Sequence, residues 1–177
     1  RNAIWRTRAG YIHKEMAGVY SYLPLGLRVI GKIEQIIREQ MNRLGGQEVF
    51  LSALHPKENW GKTGRWETMT DLYKIKDDHD RELALGPTHE EIITPLVAAH
   101  VNSYHDLPFS VYQFQTKFRR ELRAKSGLLR GREFIMKDLY SFHRDQTDLD
   151  NFYQAVGEGY RAIFKTVGIG EQTVYTL

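Results

Sequence analysis

Residues 117–134 read KFRRELRAKSGLLRGREF, with seven basic side chains around one central acid, Glu121, and with Gly127 and Gly131 in the loop that follows. A surface that only attracted polyanions would be stronger without that acid. The flanking residues show what it is for. FSVYQFQTKFRRE at 109–121 and REFIMKDLYSF at 132–142 are rich in aromatic and β-branched side chains, so the stretch reads as the tip of a long antiparallel hairpin. Side chains alternate along a strand, so Arg119 and Glu121 project together while Phe118 and Arg120 point the other way. On the returning strand Arg130, Phe134, Met136, Asp138 and Tyr140 share one parity, which puts a cation, a carboxylate and an aromatic plate within reach of one face. A guanidinium holds a phosphate through two bonds, a carboxylate accepts from an exocyclic amine, and a ring stacks on a base. Such a face suits a nucleotide whose base carries an amino group, with ATP the economical choice.

Helices flank this hairpin. Ile30, Ile33, Ile37, Met41 and Leu44 recur at helical spacing from Leu27 onward, after Pro24 and before Gly45 and Gly46, which predicts one long amphipathic helix. QEVFLSAL at 47–54 then reads as a strand, and Pro56 opens a short helix through Trp60. DLYKIK and RELAL flank the polar turn of a hairpin at 77–80. Thr88 starts another helix, and with Glu91 three residues on it has the pattern of a capping box. Leu149, Phe152, Tyr153, Val156, Tyr160, Ile163, Phe164 and Val167 describe a second long helix closed by Gly168, and TVYTL at 173–177 alternates like the start of a strand. The expected class is α+β, an antiparallel β-sheet with long helices on one face.

Composition narrows the chemistry. The 177 residues are enough for one well-buried core, 41% of them are hydrophobic, and the five Pro and fifteen Gly are scattered, as in an ordered globular domain. A net charge of +3 fits an acidic ligand at one site. The absence of cysteine excludes a disulfide scaffold and thiolate metal sites, and makes a cytoplasmic location the default. No apolar run has the length of a signal peptide or a membrane span. GKT at 61–63 lacks the phosphate-loop glycine, because Pro56 stands there, and G-x-G-x-x-G, H-E-x-x-H and G-x-S-x-G do not occur. His89 with Glu90 and Glu91 reads as a helix start rather than a metal site.

FRRE, a loop and RGREF resemble the second signature of class II aminoacyl-tRNA synthetases, carried here by Arg119, Glu121, Arg130 and Phe134. GVYSYLPLGLRV at 18–29, GRW at 64–66, LGPTHEE at 85–91, QTKFRREL at 115–122 and REFIMKDLYSFH at 132–143 together are similar to the bacterial type of prolyl-tRNA synthetases. The resemblance runs over almost the whole chain. It implies a class II catalytic domain that is partial over 1–177, since the family's third signature and anticodon-binding domain do not occur before Leu177. It also implies activation of L-proline by ATP with Mg²⁺, transfer to tRNA(Pro), and a homodimer built on the first long helix and the strand after it. Ser52 stands there in place of the family's proline.

The same resemblance gives Arg119 the α-phosphate and the amino-acid carboxylate, Glu121 the adenine amino group, Arg130 the outer phosphates, and Phe134 the adenine ring. Thr88 and Glu90 would receive the proline imino group, with Met136, Asp138 and Tyr140 lining the pocket; Arg65 and Trp66 receive no role. For Thr88, the capping box stands beside the ligand role, and both can hold on a rigid helix start. Two other classes stay open: a non-catalytic synthetase-like RNA-binding or regulatory protein, which would have lost site residues, and a plain nucleic-acid-binding module with steep salt dependence.

Overall fold

The computed structural model describes residues 2–124, 127–174 and 176. Its elements run α1 (Asn2–Arg8), β1 (Ile12–Met16), β2 (Val19–Tyr22), α2 (Pro24–Arg43), β3 (Gly46–Glu48), β4 (Leu54–Pro56), α3 (Lys57–Lys62), α4 (Arg65–Thr68), β5 (Tyr73–Lys76), β6 (Glu82–Leu85), α5 (Glu90–His100), β7 (Phe109–Phe118), β8 (Glu133–Phe142) and α6 (Gln146–Thr166). Proline at the first position of α2 has no N–H to leave unpaired, and Gly45 at φ 77° takes the left-handed turn that ends the helix. Helix α6 starts at Asp145, whose side chain accepts from Asp148 N, and gives way to Gly168 at φ 87°. None of the helices among the described residues is long and apolar enough to cross a membrane.

The chain divides into two compact units, each assembled from separated segments. The first holds residues 1–27, 50–100 and 113–137. It contains the β1–β2 hairpin and an antiparallel sheet in the order β4-β6-β5, with α3, α4 and α5. Its apolar centre is Trp60, Trp66, Leu72 and Ala84, with Met69 packed against them. Cations lie over the indoles: Arg65 at 5.3 Å from the Trp60 centroid, and Lys57 and Lys74 on Trp66. The second unit holds residues 28–49, 101–112 and 138–177 and buries Met41, Tyr112 and Ile163. In it Arg38 grips both oxygens of Glu48 at 2.7 and 2.8 Å, which holds that carboxyl below its ordinary pKa, and the Tyr112 hydroxyl donates to Asn42 and Glu48.

Among the described residues the single antiparallel sheet expected from the sequence is divided into three, and one pairing is parallel: β3 runs alongside β7 with Gly46, Gln47 and Glu48 opposite Ser110, Val111 and Tyr112. β7 and β8 are neighbours in the order β3-β7-β8. Arg119 N donates to Arg132 O at one end of that pair and the Phe109 ring stacks on Phe142 at the other, so these two strands run antiparallel as expected.

The expected strand at 47–54 is broken into β3 and β4 for a definite reason. Beyond Val49 the backbone of Leu51 is bound by side chains, its N–H donating to Gln113 Oε1 at 3.1 Å and its carbonyl accepting from Gln115 Nε2 at 2.6 Å. The outgoing strand expected at 109–121 stops at Phe118, because Arg120 N–H and guanidinium turn to the carbonyls of Asp71 and Thr70. Thr173, Val174 and Thr176 form no strand after the 3-10 turn at Gly170–Gln172, whereas Tyr175 and Leu177 lie outside the described residues. Helix α1 and the β1–β2 hairpin, absent from the sequence reading, complete the first unit.

Two glycines of α2 make opposite predictions. A Cβ at buried Gly26 would sit 2.1 Å from the backbone carbonyl oxygen of Tyr11, while exposed Gly31 has open space around it. Gly31→Ala should therefore gain up to about 1 kcal/mol from helix propensity. Gly26→Ala should lose about 1–3 kcal/mol through overpacking despite that gain. Chemical denaturation of the two variants beside the parent checks the signs.

Candidate active site

β7 faces inward with polar residues. Gln113 and Lys117 are fully buried and Gln115 nearly so, all of one parity, and Arg119 continues that row just past the strand end. Buried polar groups need partners. The two glutamines find Leu51, and Lys117 places Nζ 2.5 Å from Nδ1 of His89. His89 is itself fully buried, with Nε2 2.9 Å from Ser52 O, the carbonyl that also takes a bond from His55 Nε2 at 3.0 Å. His55 packs edge-on against His89 and stacks on Trp60. Burial above all, then the neighbouring His89, with Lys117 adding, holds the His55 imidazole down to about 4, against the opposing pull of the Ser52 carbonyl. Gly86 lies against both rings, and a Cβ there would come within 2.6 Å of His55.

Above this buried base the segment 86–90 is fastened to the end of β7. Phe118 N donates to Gly86 O at 3.0 Å, and Arg119 reaches Pro87 O with Nε and Nη2 through two long bonds of 3.4 Å. The Arg119 guanidinium also lies 5.3 Å over the Phe134 ring. Since His89 points down into the core, Thr88 and Glu90 share the opposite side, where Thr88 Oγ1 donates to Glu90 Oε2 at 2.5 Å. About half of the Glu90 side chain is exposed (51%).

The capping box read at Thr88 does not form. Glu91 turns its carboxylate into the core, where Oε1 accepts from Arg65 Nη1 at 2.7 Å and from the Thr63 hydroxyl, and Oε2 has no hydrogen-bond partner. A buried carboxylate gains more from a guanidinium than from a helix-end amide. Arg65, to which the sequence assigned no role, also stands 3.7 Å from Glu90 Oε2.

Glu121 follows a tight turn in which its N–H donates to Arg119 O at 2.7 Å. The sequence reading sends Glu121 and Arg130 to opposite ends of a nucleotide, but here they are paired, Arg130 Nε to Glu121 Oε2 at 2.9 Å. The loop returns residue 130 beside 121, so the charges compensate directly. Arg132 fixes the loop from behind, donating to the carbonyls of Glu121 and Ala17. Met136 is half-buried two residues beyond Phe134. Asp138 and Tyr140 belong to the second unit, where the tyrosine hydroxyl donates to Asp138 Oδ2 at 2.6 Å.

The first unit thus brings Arg119, Glu121, Arg130 and Phe134 into one chain of contacts and ties it through Pro87 to Thr88 and Glu90. Cations, an aromatic face and a half-exposed carboxylate at this spacing suit a ligand with an anionic part, a flat ring and an ammonium. Lys117 escaped the sequence reading, which took His89 only as part of a helix start; the signal was a lysine in register with two glutamines on a central strand.

The sequence profile of the tRNA synthetase class II core domain (G, H, P, S and T) matches residues 73–177, more than half of the chain. A proline--tRNA ligase of Syntrophomonas wolfei subsp. wolfei is 55% identical over 168 residues, covering 94% of this chain and 30% of that protein. One from Pelotomaculum thermopropionicum is 54% identical over 163 residues, covering 92% and 29%. The chain spans about three tenths of the length of these curated relatives. Among solved structures, the prolyl-tRNA synthetase of Giardia lamblia in complex with prolyl-adenylate superposes with a TM-score of 0.83 at 21% identity, over 90% of this chain and 34% of that one. That of Cryptosporidium parvum with L-proline and AMP gives 0.80 at 18%, over 91% and 32%. At those identities the likeness speaks for the fold, and it is the class II catalytic fold that the hairpin at 117–134 led the sequence reading to expect. By the profile match, the chain belongs to the class II tRNA synthetase core family.

Proposed function

We propose that this chain is part of the catalytic domain of a cytoplasmic proline--tRNA ligase, which activates L-proline with ATP to prolyl-adenylate and transfers the prolyl group to tRNA(Pro). The observation that carries the reading is Arg119, whose guanidinium rests on Phe134 and bonds Pro87 O at the root of the Thr88–Glu90 loop. One cation is thereby set between the groups suited to a nucleotide and those suited to an amino acid. Relatives about half identical over nearly the whole chain bear the name proline--tRNA ligase.

In this reading a carboxylate oxygen of proline attacks the α-phosphorus of ATP; a new P–O bond forms, the bond to the bridging oxygen breaks, and pyrophosphate leaves. A hydroxyl of the terminal ribose of the tRNA then attacks the prolyl carbonyl; an ester C–O bond forms, the C–O bond to the phosphate breaks, AMP leaves, and the hydroxyl proton passes to the departing phosphate or to water. Catalysis rests on position and on positive charge placed where negative charge develops. Arg119 clamps the α-phosphate and the proline carboxylate, Arg130 meets the outer phosphates, Glu121 accepts from the adenine amino group and Phe134 stacks the ring. Thr88 and Glu90 receive the imino group, and Met136 lines the pocket.

ATP has to part Glu121 from Arg130: the guanidinium is 62% exposed and is free to turn to phosphate, whereas the 17% exposed carboxylate needs a donor in its place, which the amino group of the base supplies. Mg²⁺ supplies charge neutralisation on the phosphates. No group of three or more His, Cys, Asp or Glu side chains suited to a metal occurs among the described residues, so the cation would be held mainly by the nucleotide itself. Homodimerisation through α2 fits the exposed apolar side chains of Val29 and Ile33. A non-catalytic regulator would have no use for the whole set, and Arg119, Glu121, Arg130, Phe134, Thr88 and Glu90 are all present.

In the full-length gene product, Arg119→Ala should lower proline-dependent ATP–pyrophosphate exchange by about a hundredfold or more while the protein stays folded. Near-parental exchange in a folded variant would reject the assignment. Glu90→Gln should raise the KM for proline strongly and leave that for ATP nearly unchanged, because the two substrates use different ends of the site; equal rises in both would give Glu90 a structural role instead.

A further inference from the structure

Contacts from three consecutive residues join the 86–89 segment to the end of β7: Phe118 N to Gly86 O, Arg119 Nε and Nη2 to Pro87 O, and Lys117 Nζ to His89 Nδ1. The first runs between backbones and the second is long. The third joins two side chains that are both fully buried, at 2.5 Å. Its chemistry defines a single proton arrangement. Ser52 O can only accept, so His89 Nε2, 2.9 Å away, carries the imidazole hydrogen. Nδ1 is then a lone pair, and the donor that meets it is an Nζ–H of Lys117, 2.5 Å away.

The consequence is geometric. His89 sits between Thr88 and Glu90 in sequence, and Lys117 sits two residues before Arg119 on the same strand parity. Fixing the His89 ring between Lys117 and Ser52 O fixes the height and tilt of the backbone that presents Glu90. We propose that Lys117 is a positioning residue of the adenylation site, which through the His89 tautomer sets the place of the imino-group acceptor relative to Arg119. The inference rests on the function proposed above and names a residue that touches neither substrate. Misplacing a reacting group by about 1 Å costs up to about a hundredfold in rate while leaving each ligand's own contacts intact, so the effect falls on kcat rather than on KM.

Two substitutions test it in the full-length gene product. Lys117→Met keeps an unbranched stem and removes the donor, leaving the buried Nδ1 of His89 unpartnered at some cost in stability. His89→Gln keeps a donor near the position of Nε2 and removes the Nδ1 acceptor. Each should lower kcat of proline-dependent ATP–pyrophosphate exchange by about tenfold or more, with the KM for proline and for ATP each within about threefold of the parent. A kcat within about twofold of the parent in a folded variant, or a change confined to KM, overturns the inference. Should Lys117→Met fail to fold, His89→Gln decides alone. Nitrogen-15 NMR of the histidines gives a readout that needs no activity: the parent should hold His89 as the Nε2–H tautomer and Lys117→Met should release it to a mixture. An Nδ1–H form in the parent overturns the inference. A parent inactive toward proline and ATP rejects the proposed function instead, and the tautomer result then judges the anchor.

Discussion

The inward face of β7 is polar, and much of the first unit follows from satisfying it. A central strand that buries Gln113, Gln115 and Lys117 cannot be covered by an ordinary apolar layer, because each unpartnered polar group in the interior costs roughly 1–3 kcal/mol. Leu51 supplies one N–H and one carbonyl to the glutamines, and that interrupts the strand expected at 47–54. His89 supplies the acceptor for Lys117, and that draws the 86–90 segment against the end of β7. Two features that look unrelated along the chain, a broken strand and a loop with two outward polar side chains, answer one requirement.

The same requirement gives Ser52 a place. Its carbonyl holds the Nε2 of both His55 and His89, so a position that the resemblance marks only by the absence of proline is here a backbone acceptor at the centre of a histidine pair. The acceptor is the main chain, which any residue supplies; what the site needs is the path of the backbone. Gly86 is the matching piece on the other side, since the closeness of the two rings leaves no room for a Cβ.

Local periodicity made the long helices legible, because their apolar stripes and end glycines are carried within each segment, as at Ile30 to Leu44 and Leu149 to Val167. The hairpin of β5 and β6 and the antiparallel run of β7 and β8 were readable for the same reason, from alternation and turn residues. Sheet division was not, since β3 joins β7 in parallel across more than sixty residues of chain and no local pattern encodes that partner. The signature residues at 119–134 were found by type and spacing. Their support was invisible for a physical reason: Lys117 reads as one more cation on a basic strand until burial shows that its charge is spent inside, on a histidine that itself reads as part of a helix start.

Glu121 is the last element of this arrangement. Seven basic side chains in eighteen residues would repel one another and bind any phosphate without preference. The structure divides their labour: Lys117 is bonded to His89, Arg119 is shared between the Phe134 face and Pro87 O, Arg120 is turned to Thr70 O, Arg132 to the carbonyls of Glu121 and Ala17, and Arg130 to the Glu121 carboxylate. Most of the positive charge is thus tied to fixed acceptors. In the proposed reading Arg130 is the cation held by a partner that a nucleotide can replace, with the amino group of its base satisfying the carboxylate and its phosphates satisfying the guanidinium. A bare polyphosphate offers only the second half of that exchange and would leave Glu121, whose side chain is only 17% exposed, without a donor. In that reading the acid among the arginines favours a ligand that brings a donor as well as an anion over a bare polyphosphate.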